Sequence, residues 1–324
     1  IIDTAGFDDE GDLGELRIKK TEEILGRTDI AILVADATLG LTDKDLELQK
    51  LFEARKLPYI IVFNKSDLPH EHIEGKFYTS ALKGENINEL KEKIASLAPK
   101  LEPERFIIAD KLKKGDVVIL VTPIDEAAPK GRLILPQQNT LRELLDFHCV
   151  PICTQVEELP ALLNKIMPAL VITDSQAFGK VKEIVPKEIP LTSFSILFAR
   201  YKGNLDKLIS GAKLLKNLKD GDIILISEGC THHRQCNDIG SVKLPKWIEE
   251  FSRAKLNFEF TSGGEFPSDT SKYALVVHCG GCMLNPQEMQ TRLNRTEKIV
   301  NYGVAIAYMN GILPRTLEIL GVEL

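Results

Sequence analysis

No apolar run in the 324 residues approaches the ~18 needed to span a bilayer; the longest are strand-sized pieces such as Tyr59-Ile-Ile-Val-Phe63. A membrane-spanning role is excluded on that count, and a soluble protein is expected. Positive charge is not in excess either: 41 Lys and Arg stand against 47 Asp and Glu, a formal net charge of −6. A general nucleic-acid surface needs clustered cations, so that class is disfavoured. Six cysteines, at 149, 153, 230, 236, 279 and 282, are too few for a disulfide scaffold and leave metal ligation or ordinary burial. The phosphate-cradling pattern Gly-x-x-x-x-Gly-Lys-Ser/Thr occurs nowhere in the chain. Low-complexity tracts and repeats with a period of 20–50 residues are missing as well.

What is present is a globular composition, 44% hydrophobic and 27% charged, in a chain too long for one compact domain of roughly 100–200 residues. Strand-like apolar runs alternate with helical patterns, the signature of α/β units with parallel sheets. Ile30–Ala35 and Tyr59–Phe63 read as buried strands around a helix at Asp43–Arg55. Pro99-Lys-Leu-Glu-Pro-Glu-Arg105 breaks the pattern as a linker. Strands follow at Val117–Val121, Pro151–Gln155 and Ala169–Thr173, with helices at Asn139–Phe147 and Ser175–Ile184. After Pro186-Lys-Glu-Ile-Pro190 come strands at Ser195–Phe198, Asp222–Ser227, Phe258–Thr261, Ala274–Val277 and Val304–Ala307. The expectation is three α/β domains, residues 1–98, 106–190 and 191–324, the second and third with mostly parallel sheets.

Three polar motifs sit at the ends of successive strands in the first domain: Asp3-Thr-Ala-Gly6, Asn64-Lys-Ser-Asp67 and Ser80-Ala-Leu82. A doubly wound sheet places its ligand loops there. The Asp67 carboxylate suits the N1–H and 2-amino donors of guanine, whereas adenine offers an acceptor at N1 and no such amino group. Asn64 ties neighbouring loops, the stem of Lys65 covers the base face, and the backbone N–H near Ser80 and Ala81 reaches the guanine O6. Asp3 is placed to hold a magnesium water and the Gly6 N–H to meet a γ-phosphate. These residues resemble the third, fourth and fifth guanine-nucleotide motifs of the translation-factor-related GTPases, over about residues 1 to 98. The resemblance implies GTP with Mg2+, a partial P-loop GTPase fold, and a chain that starts inside that domain, its phosphate loop and first switch lying ahead of Asp3. Phe7 stands where some relatives carry a water-orienting Gln and has no polar atom to replace it, so hydrolysis is expected to be slow.

Toward the C-terminus, Cys230-Thr-His232-His233 follows one strand and His278-Cys279-Gly-Gly-Cys282 another, with Cys230 and Cys279 49 residues apart. The two groups meet only if their strands are neighbours in one sheet. Gly280 and Gly281 permit the tight turn that lets both cysteines face one centre, with backbone N–H groups free to bond sulfur. Three cysteines with one or two histidines satisfy tetrahedral zinc, and the same thiolates hold three corners of a 4Fe-4S cluster, leaving one iron open.

The pattern C-x-H, an intervening stretch and H-C-x-x-C, downstream of a GTPase domain, resembles the hydrogenase maturation GTPases of the HydF family over the whole 324 residues. That resemblance implies a GTPase domain, a middle dimerisation domain and a cluster-binding domain. It also implies a 4Fe-4S scaffold and carrier for the diiron unit of iron-iron hydrogenase. Cys230, Cys279 and Cys282 fall on the cluster ligands, and His232 and His278 on the motif histidines, as weak ligands or supporting donors. The partners implied are a second copy of the chain, the apo iron-iron hydrogenase and radical SAM maturation enzymes, with neither nucleic acid nor membrane, in the cytoplasm. His233 carries no motif role, and Cys236 and Asp238 are secondary candidates for the open iron. His148, Cys149 and Cys153 are assigned to core or interface packing. The rival reading is a GTPase of RNA modification or ribosome assembly with a structural zinc site, which the acidic composition disfavours.

Overall fold

The computed structural model describes residues 2–3, 24–97, 105–124, 131, 133–229 and 238–324. The chain divides into two compact units, Ile1–Glu104 and Arg105–Leu324.

In the first unit, β1 (Ala31–Asp36), β2 (Tyr59–Asn64) and β3 (Phe77–Tyr78) form a parallel sheet in that order. Helix α1 (Asp43–Ala54) links β1 to β2 and starts on a reciprocal cap. Thr42 Oγ1 accepts the Asp45 amide, and the Asp45 carboxylate accepts the Thr42 amide. Helix α2 (Ile87–Leu97) follows β3. Leu25, Ala31, Leu33, Phe52 and Leu57 form one buried cluster, and Ala35, Ala37, Phe63 and Tyr78 another.

The second unit runs β4 (Val117–Val121), α3 (Leu135–Asp146), β5 (Val150–Thr154), α4 (Leu159–Leu163), β6 (Leu170–Thr173), α5 (Phe178–Ile184), β7 (Leu191–Ser193), α6 (Phe194–Lys202) and α7 (Leu205–Lys213). It continues through β8 (Ile223–Glu228), α8 (Leu244–Ser252), β9 (Asn257–Ser262), β10 (Leu275–His278), α9 (Pro286–Asn294), β11 (Ile299–Asn301), α10 (Tyr302–Met309) and α11 (Leu313–Glu318). Two four-stranded sheets result, β5-β4-β6-β7 and β11-β10-β8-β9, with every pairing parallel. Strands β6 and β10 are buried at every position, as sheets covered on both faces require.

The two sheets repeat one plan. Each takes its strands in the order second, first, third, fourth, and each fourth strand runs straight into a buried helix. Lys113-Lys-Gly-Asp-Val-Val-Ile-Leu120 matches Lys219-Asp-Gly-Asp-Ile-Ile-Leu-Ile226, and Ala169-Leu-Val-Ile-Thr173 matches Ala274-Leu-Val-Val-His278. The turns agree too. Gly115 and Gly221 have φ of +87° and +88°, a left-handed conformation open to glycine, and the Asp116 and Asp222 carboxylates accept the Lys113 and Lys219 amides. By the repeat α7 ends the first half and α11 the second, and the halves interlock, since α7 packs on β11 and α11 on β7. Gly211 of α7 lies so close to the Ile299 carbonyl that a methyl group there would collide with backbone.

Two expected strands are corrected. Ser195–Phe198 lies in α6 and Val304–Ala307 in α10; the strands that feed them are the three-residue β7 and β11. Ser193 Oγ accepts the Ile196 amide and Asn301 Oδ1 the Val304 amide, so each helix starts on a polar N-cap immediately after its strand. Both helices are covered on nearly all sides, so their apolar residues show no 3.6-residue period and read as strand runs.

Candidate functional site

At the carboxyl edge of the first sheet the predicted base-binding residues converge. Asn64 closes β2, and Lys65 follows at a φ of +66°. Asn64 Oδ1 accepts the Ala81 amide at 3.0 Å and the Thr79 hydroxyl at 3.4 Å, tying the two loops as expected. Asp67 Oδ1 accepts the hydroxyl of fully buried Ser80 at 2.6 Å, and that bond holds the Asp67 carboxyl below its ordinary range. Asp67 is therefore a fixed anion with acceptor lone pairs to spare. The sequence reading missed Asp36, at the end of β1. Its Oδ2 accepts Lys65 Nζ at 2.6 Å and its Oδ1 accepts the Thr38 hydroxyl and amide. The Lys65 ammonium, with Thr38, lowers the Asp36 carboxyl to about 2, and the carboxylate in turn raises Lys65. This pair ties the lysine head to the end of β1. Asp3 is exposed, and Gly6 and Phe7 lie outside the described residues.

In the second unit, β8 and β10 are adjacent parallel strands with Ser227 paired to His278, so the strands that precede the two cysteine segments are neighbours in one sheet. Cys279 N–H donates to the Ser227 carbonyl. Cys279 Sγ accepts the Gly229 amide at 3.0 Å and the Gly281 amide at 3.4 Å. Gly281 has φ +61°, the left-handed turn anticipated for the Gly-Gly pair. Cys230, His232, His233 and Cys236 lie outside the described residues. Among the described residues no group of three His, Cys, Asp or Glu side chains gathers to hold a metal. The donors that are described suit a thiolate ligand, because two backbone N–H groups aimed at one sulfur stabilise its negative charge.

His278 is fully buried, and both its ring nitrogens are engaged. A carbonyl only accepts and a guanidinium only donates. Contact of Nδ1 with the Cys279 carbonyl at 2.7 Å and of Nε2 with Arg292 Nη1 at 3.1 Å therefore fixes the neutral Nδ1–H tautomer. Burial, helped by the Arg292 charge, lowers His278 to about 4. Of the two roles open to it, ligand or supporting donor, this arrangement matches the second. Arg292 is itself 2% exposed, with Nη2 on the Gly263 carbonyl and on Glu288 Oε1, and it faces the Phe266 ring. Asp238 Oδ2 caps Ser241 at the start of the helical turn Ile239–Lys243, a structural duty for that secondary candidate.

Lys202, at the end of α6, was also missed. It is buried, and its Nζ donates to the carbonyls of Cys282 at 2.8 Å, Leu284 at 2.9 Å and Gly281 at 3.4 Å. Burial lowers its amine, partly offset by attraction to negative charge on Cys282. No motif signalled either cation: Lys202 ends an apolar buried helix, and Arg292 sits on a polar one where an arginine is ordinary. Of the packing cysteines, Cys149 is buried, whereas Cys153 is exposed on the open edge strand β5.

Comparison with known proteins decides the lineage. A hydrogen maturase F dimerization domain model matches residues 107–203, and a hydrogen maturase F tetramerization domain model matches residues 206–319, together well over half of the chain. The chain belongs to the hydrogen maturase F family. Shorter matches join this hydrogen maturase F chain to GTPases. The tRNA modification GTPase MnmE of Lactococcus lactis subsp. cremoris is 42% identical over 100 residues, 29% of this chain and 22% of that protein. GTPase Der of Kosmotoga olearia is 34% identical over 123 residues, 31% and 28%. GTPase Der of Natranaerobius thermophilus is 30% identical over 166 residues, 45% and 37%. The chain thus spans between about a fifth and just over a third of these relatives' lengths. The family models fall one on each sheet of the second unit and meet between α6 and α7.

Proposed function

We propose that the chain is a GTP-binding scaffold that holds a 4Fe-4S cluster through Cys230, Cys279 and Cys282 and carries a diiron precursor to apo iron-iron hydrogenase. The observation that carries this reading is the pairing of β8 with β10, which sets the Gly229 amide on Cys279 Sγ one residue before Cys230. When bound, the cluster supplies an iron with a coordination position open to another molecule. The chain's own residues do the holding. Two amides stabilise the Cys279 sulfur, His278 fixes the Cys279 carbonyl, and Arg292 fixes His278. His278 is proposed as a supporting donor, with His232 as its counterpart on the other strand's motif.

In the first unit Asn64, Lys65, Asp67, Ser80 and Ala81 bind guanine, with Asp3 and Gly6 serving magnesium and γ-phosphate. GTP hydrolysis is slow, Phe7 being unable to orient water. Radical SAM maturation enzymes deliver the precursor, in the reducing cytoplasm where thiolate-bound iron persists; no helix among the described residues is long and apolar enough to cross a membrane. Residues 1–98 serve GTP binding, the middle domain, which runs on past 190 through β7 and α6, serves dimerisation, and the remainder to 324 serves cluster binding. Dimerisation uses the open edge at β5, where Val150, Leu145 and Phe147 leave apolar surface exposed. The test is anaerobic reconstitution of wild type and Cys279→Ala: iron and sulfide bind the first and are lost from the second, and stoichiometric zinc in place of iron favours the RNA-modification GTPase reading.

A further inference from the structure

The duplication within the second unit provides an internal comparison for the cysteine loop. After the third strand of its sheet, the second half carries Cys279-Gly-Gly-Cys282, and the first half carries Asp174-Ser-Gln-Ala177 at the matching place. After the fourth strand, α6 and α10 also match, Ser193 with Asn301 at their caps and Gly203 with Gly311 just past their ends. In this register Lys202 of α6 falls opposite Asn310, which follows α10.

The two residues do different things. Asn310 Nδ2 turns back onto the Ile306 carbonyl, within its own helix. Lys202 instead reaches across the interlocked halves and donates to the carbonyls of Gly281, Cys282 and Leu284. An ammonium has three N–H donors, and three carbonyls receive them. The end of α6 is also held against α9, Gln290 Nε2 donating to the carbonyls of Lys202 and Gly203. Lys202 thus belongs to the half without the cysteines and reaches across to the loop that has them, whereas Asn310, its counterpart in the half with the cysteines, stays on its own helix, so a buried cation is set only against the cysteine loop.

We infer that Lys202 is a positioning residue for the cluster site: its ammonium clamps the Cys279–Cys282 loop by its carbonyls and sets one fixed positive charge beside the bound cluster. This rests on the cluster reading of Cys279 and Cys282, but the clamp itself belongs to the metal-free chain. Without it the three carbonyls lose their donor and the loop opens. The charge acts on the loaded protein, because the reduced cluster carries one more negative charge than the oxidised one and is stabilised by a nearby cation.

The full chain carrying Lys202→Met or Lys202→Gln is compared with wild type in two measurements. In the metal-free protein under native conditions, a thiol reagent should label Cys279 and Cys282 at least about tenfold faster in Lys202→Met. Lys202→Gln, which keeps an amide donor, should lie between. In the reconstituted protein the reduction potential should fall in both variants, at unchanged iron content. Labelling within twofold of wild type together with an unmoved potential would overturn the proposal. A wild type that takes up no iron defeats the cluster reading alone, and the labelling still decides the clamp. If neither variant folds, hydrogen exchange of the wild type decides: amides from Gly281 to Leu284 must open together with the last turn of α6, and independent, faster opening overturns the clamp.

Discussion

At the residue scale, the proposed guanine site was legible because its side chains stand at strand ends, where spacing alone places them. Asn64 ties the two loops as its place implied, whereas the Asp67–Ser80 bond was not anticipated, and the Ala81 amide, expected to reach the guanine O6, donates to Asn64 Oδ1. Asp67→Asn replaces an acceptor with a donor facing the guanine N1–H. It should cost about 2–3 kcal/mol of GDP affinity, roughly 30- to 150-fold, in calorimetric titration, and should improve xanthosine nucleotide binding. Asp36, Arg292 and Lys202 escaped notice because partners 29, 14 and about 80 residues away in sequence define them. His278 carries a pH dependence. Its folded-state value, about 4 against an ordinary 6.5, means that the unfolded chain binds the extra proton between those values. Its stabilising contribution is therefore present above pH 6.5 and lost as pH falls toward 4. Metal-free protein should lose about 2 kcal/mol between pH 7 and 5 from this group in urea unfolding, and His278→Gln should remove that part of the dependence.

At the scale of elements, the parallel sheets followed from apolar strand runs alternating with helices, and the two misread segments mark where periodicity fails. Helices α6 and α10 are buried around their circumference, so only their caps betray them. Ser193→Ala should cost about 1 kcal/mol. Asn301→Ala should cost more, since Asn301 Nδ2 also donates to the Ser195 carbonyl in the opposite half. Thermal unfolding of the pair checks the order. The close approach of α7 to β11 is sharper: Gly211→Ala forces a methyl group onto the Ile299 carbonyl and should prevent native packing of the second unit, seen as lost near-ultraviolet dichroism. The repeat itself was invisible to a search at short periods. Gly221 follows Gly115 by 106 residues, and the agreement is confined to turns and buried strands, where packing dictates residue type.

For the whole molecule, the proposal is a guanine site in one unit, a cysteine site on a duplicated second unit, and a dimer through the β5 edge. Val150→Lys places a charge on that edge and should shift sedimentation toward monomer at micromolar concentration; an unchanged dimer would move the interface elsewhere. Everything else depends on what the cysteines hold. The most direct measurement is iron and sulfide content after anaerobic reconstitution of the full chain, read beside Cys279→Ala and Cys282→Ala. The account predicts about four iron and four sulfide per wild-type chain, with cluster absorbance and its loss in both variants. One zinc per chain, with no sulfide bound, would contradict it.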